Sequence, residues 1–251
     1  MARVLLDQAL GTLVLRPYVF VFLATYLALA VRDLGGRGAL GLLSWGWAVA
    51  FVAEYASTRV GIPFGMYHYT GETRAAELFL SNVPLFDSLS FPFLAYAAWC
   101  AARWALPGRG ALPTVAAAGV LMMLLDVVID PVALRGERWF LGRLFVYPEG
   151  GVYFGVPLSN FAGWIVVGWL IVGGYVAGGA ALGGRRGAPR GSPRLGVVFY
   201  YAILLFNLAV TLWIGEWWLL GVGILVHLVV FLVLWVAVGR TFGGAGGGAG
   251  A

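Results

Sequence analysis

Long apolar runs broken by sparse polar positions dominate the chain, and the lengths of those runs predict helices that cross a bilayer. Roughly 17 to 25 largely apolar residues span a hydrocarbon core about 30 Å thick, and seven segments meet that length. Residues 4–15 read as an interfacial stretch of helix, and Pro17 suits the first turn of a first span ending near residue 31. The second span, residues 39–58, carries Glu54 close to its end. The third opens at Val83-Pro84, holds Asp87 in its first turn and runs to residue 106, with a kink expected at Pro92. The fourth covers residues 112–130, where Pro131 disfavours helical geometry in the residue before it and is expected to end the helix. The fifth opens at Val156-Pro157, carries Asn160 and Trp164, and finishes among Gly173, Gly174, Gly178 and Gly179, small residues that suit close helix contact. Residues 195–213 and 217–238 complete the set. The predicted fold class is all-α, a polytopic transmembrane helical bundle forming one domain over residues 1–242. A Gly/Ala tail at 243–251 is expected to be disordered.

Two connections are long, residues 59–82 and 135–155, and both hold Gly, Pro and aromatic side chains. With seven alternating spans they fall on the same membrane face. Glu54, Asp87, Asp126, Asp130 and Asn160 then gather near that face. An acid inside an apolar span costs roughly 2.5 to 3.5 kcal/mol on insertion scales, so such acids usually face a cavity, a partner or a substrate path. Asp126 and Asp130 are four residues apart and share one helix face, with Asp126 deeper. A short echo, Val83-Pro84-Leu85-Phe86-Asp87 against Val156-Pro157-Leu158-Ser159-Asn160, suggests pseudo-symmetry between spans two/three and four/five.

Composition narrows the chemistry. At 61% hydrophobic and 11% charged the chain lies outside the range of soluble domains. All 16 basic residues are arginine, so no lysine exists to form a retinal Schiff base. Two histidines, His68 and His227, cannot build the histidine-rich clusters of a membrane di-iron enzyme. Cys100 alone excludes an intrachain disulfide or a thiol pair. The net charge of +5 is spread over several loops and no nucleic-acid motif is present. No cleavage site follows the first apolar stretch, which is expected to act as an uncleaved anchor. The face of the long loops has 7 arginines and the opposite face 9, which places the opposite face in the cytoplasm and the acids on the extracytoplasmic side of a bacterial inner membrane, in a multi-pass protein.

Each polar residue also has a plain structural explanation. Asp126 and Asp130 could pair with Arg135 or Arg138, Glu54 with Arg59, and Asp87 could favour the positive end of its helix. Tyr67, His68, Tyr69, Trp139, Tyr147, Tyr153 and Trp164 each suit an interfacial aromatic belt. His227 and Asn207 read as interhelical donors, and the basic loop from Arg185 to Arg194 as a connection near anionic headgroups. Asp126-x3-Asp130 could equally hold magnesium on a diphosphate, with Arg135, Arg138 and Arg143 nearby, as in a membrane prenyltransferase.

The order of motifs adds a family. Glu54, then Gly61-Ile62-Pro63-Phe64-Gly65-x-Tyr67-x-Tyr69, then Val83-Pro84-Leu85 with Asp87, then Asp126-x3-Asp130-Pro131, then Gly151-x-Tyr153-x-Gly155-Val156-Pro157-x-x-Asn160-Phe161-x-Gly163-Trp164, resembles the integral-membrane carotenoid biosynthesis family. That family includes carotenoid 1',2'-hydratases of the bisanhydrobacterioruberin and gamma-carotene hydratase kind. The resemblance covers residues 54–164 and is strongest at 126–130 and 151–164. It implies addition of water across the terminal isopropylidene double bond of a linear or monocyclic carotenoid, with no cofactor and no metal.

Such a reaction needs a proton donor, a shielded tertiary cation and a placed water. An acid in apolar surroundings keeps its proton more readily, so deep Asp126 is the expected donor, with Asp130, Glu54 or Asp87 holding the water beside Asn160. The expected substrate-binding residues are Tyr67, His68, Tyr69, Tyr153, Asn160 and Trp164, and the ring faces of Tyr67, Tyr69, Tyr153 and Trp164 would shield a cation. The expected partners are a lipophilic carotenoid and membrane lipids, with a homo-oligomer left open. A carotenoid end-group cyclase, a magnesium-dependent prenyltransferase and a non-enzymatic carotenoid-binding protein are the alternatives.

Overall fold

The computed structural model describes residues 2–181 and 189–243. It begins with a short helix, α1 (Ala2–Leu15), followed by α2 (Pro17–Leu34), α3 (Gly36–Val60), α4 (Leu85–Ala105), α5 (Ala111–Ala133), α6 (Leu158–Ala181), α7 (Arg194–Trp213) and α8 (Trp217–Gly243). Helices α2 to α8 are each long and apolar enough to cross a membrane. The chain is therefore an all-α, multi-pass membrane protein. The tail after residue 243 and residues 185–188 of the basic Arg185 to Arg194 loop lie outside the described residues.

Helix α4 is the hub. Of its apolar window 78% is buried inside the protein, against 28% for α2 and 22% for α8. The reason is local: Ala95, Ala97, Ala98, Ala101 and Ala102 are buried around its circumference, and side chains this small let α3, α5 and α7 approach closely. The same logic joins α5 to α6, where a Cβ on Gly168 would lie 2.9 Å from Gly119 Cα. Interhelical hydrogen bonds to main-chain carbonyls pin further seams. Tyr26 donates to Ala39 at 2.6 Å, Trp45 to Leu170 at 3.1 Å, Trp169 to Ala116 at 3.1 Å and Tyr200 to Leu121 at 2.9 Å. His227 and Asn207, expected as interhelical donors, divide: a His227 ring nitrogen lies 2.8 Å from Leu124 O on α5, while Asn207 donates within its own helix to Ile203 O.

Pro92 lies inside α4, as expected. Pro131 does not end α5, which runs on to Ala133. A proline this close to a terminus removes one ladder bond where few remain. Its own carbonyl accepts from Arg135 Nη1 at 2.8 Å, and Leu134 N still reaches Asp130 O at 2.9 Å.

The two long loops meet at one end of the bundle. Strand β1 (His68–Tyr69) sits in the first loop, as does a hairpin of β2 (Phe79–Leu80) with β3 (Val83–Pro84). Strand β1 pairs antiparallel with β4 (Phe145–Val146) of the second loop, with Tyr69 opposite Phe145. A buried ion pair clamps this cap. Arg16, at the corner between α1 and α2, donates to Glu77 at 3.0 and 3.2 Å and to Leu141 O at 2.5 Å, and its guanidinium lies over Phe86. Neither Arg16 nor Glu77 is exposed. At the opposite end Arg103 forks onto Asp33 at 2.5 and 3.2 Å, and Asp33 accepts Gly191 N.

Candidate active site

Beneath the loop cap lies a cavity of about 110 Å³. Four helices bring carboxyl and amide groups to it. Pro84 and Pro157 stand just before α4 and α6 and start them so that Asp87 and Asn160 fall in the first turn. Glu54 comes from the last two turns of α3, and Asp130 from the end of α5.

The polar groups form two clusters. In the first, the Tyr69 hydroxyl lies 2.9 Å from Glu54 Oε1 and 2.6 Å from Asp87 Oδ2. Ser88 donates to Glu54 Oε2, and the Tyr67 hydroxyl lies 3.3 Å from that of Tyr69. In the second, Asn160 Nδ2 donates to Asp126 Oδ2 and to Asp130 Oδ2, both at 2.7 Å. Asp126 is fully buried and its Oδ1 has no hydrogen-bond partner. Burial first, and the neighbouring carboxyls after it, push the Tyr67 and Tyr69 phenols well above their usual value. Both remain hydroxyl groups at neutral pH.

The simple pairings that could have absorbed these acids are taken by other partners. Arg59 reaches Asn82 at 2.9 Å, and Arg135 bonds Glu216 at 3.1 Å, with Arg138 on the same carboxylate. No arginine lines the cavity among the described residues.

Glu54, Asp87, Asp130, Tyr67, Tyr69, Asn160 and Trp164 all line the cavity. Asp126 stands one layer behind Asp130 and does not. His68 and Tyr153 also fall outside the lining. Successive strand residues point to opposite faces, so Tyr69 turns inward while His68 is exposed. Tyr153 packs on Phe154 and Phe161 beyond the cavity, where burial and then Asp126 push its phenol up to about 12.

Several lining residues were not among the expected site residues. Phe91 stacks on Trp164 at 4.5 Å and 9°, Phe64 closes on both, and Tyr147 stands over Tyr67 with Phe145. Tyr18, Phe22, Ile203, Phe206 and Asn207, from α2 and α7, also line the cavity. An aromatic pattern in α2 and α7 could have hinted at this, but apolar helices of membrane proteins carry such patterns generally.

Residues 13–230 match the carotenoid biosynthesis protein family. The chain belongs to that family. It is also similar to a bisanhydrobacterioruberin hydratase of Haloarcula japonica, 30% identical over 130 residues. The match covers 51% of this chain and 39% of that relative. No solved structure matches the chain significantly.

Proposed function

We propose that the chain is a carotenoid hydratase, which protonates the terminal isopropylidene double bond of a linear or monocyclic carotenoid and captures the tertiary cation with water. The observation that carries the reading is the pair of carboxyl clusters on one small aromatic-walled cavity. Family membership and the hydratase relative support the substrate class.

Counting hydrogens assigns the roles. A tyrosine hydroxyl has one proton to donate, yet Tyr69 lies in bonding range of two carboxyl oxygens. Both contacts are favourable only when one of those carboxyls carries a proton and donates to the Tyr69 oxygen. The Glu54–Tyr69–Asp87 cluster thus stores one transferable proton. Asn160 has two amide hydrogens for Asp126 and Asp130, and those two carboxyls also bond each other, which takes a proton on one of them. With that proton on the deeper Asp126, Asp130 is left as the water-accepting base on the cavity wall, and the donor is sought in the first cluster, where Glu54 and Asp87 both line the cavity. Asp126, outside the lining, positions Asn160 instead of donating.

The reaction balances without a cofactor. The π pair takes the proton from the Glu54/Asp87 pair onto the less substituted alkene carbon, which leaves a tertiary cation. Trp164 and Phe91 present ring surface to it. A water oxygen adds its lone pair to the cation and gives its proton to Asp130. Water in the cavity returns that proton to the donor pair. The product is the tertiary alcohol.

Among the described residues no arginine lines the cavity to contact a diphosphate, which favours water addition over prenyl transfer. Expression in a lycopene-producing host, followed by mass analysis of the pigments, tests the reading. A gain of one water per reacting end is expected. An added prenyl unit would assign a transferase, unchanged mass with altered absorbance a cyclase, and unaltered pigment bound to the protein a carrier.

A further inference from the structure

We propose that the seam between α2 and α7, closed by Tyr18, Phe22 and Phe206, is a lateral portal through which the polyene of the substrate runs from the cavity into the bilayer. The proposal rests on the carotenoid reading for its occupant. It starts from size. A cavity of roughly 150 Å³ holds benzene, so the 110 Å³ here takes a branched end group and excludes a long polyene. The rest of the molecule has to leave through a wall.

The walls are not equal. On the side of α4 the cavity is backed by the most buried helix of the bundle. The outer seams α2/α3, α3/α6 and α5/α6 are each crossed by a side chain to carbonyl hydrogen bond, at mid-helix or toward the end away from the acids, and none of these seams brings a cluster of aromatic rings from both its helices to the cavity as α2/α7 does. Above the cavity the cap is clamped by the Arg16–Glu77 pair. Across α2 and α7 the described residues make ring contacts and no hydrogen bond. Tyr18 stacks on Phe206 at 5.1 Å and 19°, and Phe22 meets Phe206 edge-on at 5.5 Å. All three rings line the cavity, and none is fully buried.

Next to Phe22 and Phe206 in sequence, Val21 is 63% and Leu205 62% exposed on the apolar surface of these spans. An apolar ring can swing aside without breaking a polar bond, and lipid is as good a solvent for it as the cavity wall. The seam is held at its far end, where Asp33 at the foot of α2 accepts Gly191 N just before α7. Opening is thereby confined to the half next to the acids. This route admits a lipid-dissolved polyene end-first and leaves its end group against Asp87 and Asp130.

Uptake of lycopene from phospholipid vesicles by the purified full chain tests the portal without requiring turnover. Phe206→Trp, which adds bulk to the seam, is expected to slow uptake at least tenfold. Phe22→Ala, which removes bulk, is expected to match or exceed the wild type. Val198→Trp, whose side chain is exposed on the same helix at the end away from the cavity, is expected to leave uptake unchanged and controls for folding of α7. Equal uptake by Phe206→Trp and wild type, or equal slowing by Val198→Trp, would overturn the portal. Water addition by the wild type to a short alkene with the same isopropylidene end, small enough to fit the cavity whole, reads the hydratase assignment separately. Its failure would sink that assignment while the uptake result still decides the portal.

Discussion

The Tyr69 hydroxyl and the Asp87 carboxyl meet at 2.6 Å although 18 residues of loop and hairpin separate them in sequence. The pairing of β1 with β4 holds Tyr69 down into the bundle, and the start of α4 raises Asp87 to it. With Glu54 on the other side of the same hydroxyl, the contact joins two helix-end acids through one phenol.

Tyr69→Phe removes that bridge while keeping the ring. Hydration of lycopene, measured in membranes of the expressing host, should fall by about 10² or more, the usual scale for loss of a positioned acid–base group. Near-normal turnover would show that Glu54 and Asp87 need no shared hydroxyl.

Asp130→Asn and Asp126→Asn separate the cavity-lining acid from the one behind it. Asp130→Asn should lower kcat by about 10² to 10⁴. Asp126→Asn should reduce turnover less, since Asn160 keeps its bond to Asp130. A greater loss in Asp126→Asn would return the donor role to Asp126.

The Arg16–Glu77 pair holds the cap over the cavity, so breaking one partner leaves a buried charge. Glu77→Gln should cost about 3 to 5 kcal/mol and lower the thermal midpoint in detergent. The double variant Arg16→Met/Glu77→Leu should recover much of that loss, because no charge is then stranded. Equal midpoints for Glu77→Gln and wild type would show that the pair does not stabilise the cap.

Glu216 gives a pH signature outside the spans. Burial alone would raise its carboxyl, but Arg135 and Arg138 outweigh it and hold the group below its usual value. A group with a depressed folded value stabilises above the unfolded carboxylate range, near ~4.3, and that stability is lost as pH falls through the folded value. The pairing is partly exposed, so about 1 kcal/mol or less is at stake. Thermal melts in this acid window should show a smaller pH dependence for Glu216→Gln than for wild type.

Chelation should leave hydration unchanged, since protonation and water capture as proposed use only side chains of the chain. Loss of activity with chelator, restored by magnesium, would favour diphosphate chemistry.

Much of this was legible along the chain. Span number and the grouping of Glu54, Asp87, Asp130 and Asn160 at one face follow from run length and alternation, which are local properties set against a fixed bilayer thickness. The prolines at 17, 84 and 157 marked helix starts because their fixed backbone angle and missing N–H act on their own residue. Pro131 misled because the bias it places on Asp130 is a preference that packing overrides: the helix gives up one N–H bond to residue 127, yet Leu134 N still closes on Asp130 O.

What only the tertiary structure decided is which groups touch. Asn160 meets Asp126 across 34 residues and Arg16 meets Glu77 across 61. Whether Tyr69 or His68 faced the acids depended on the register of β1 against β4, since a slip of one residue exchanges the two faces. The depth order of Asp126 and Asp130 was visible in their spacing. Which of them reaches the cavity was not, because α4, α6 and the loop cap shape that cavity together. The sequence determined that acids would be buried at one end of a membrane bundle; packing between distant segments determined how they are paired and which surface they share.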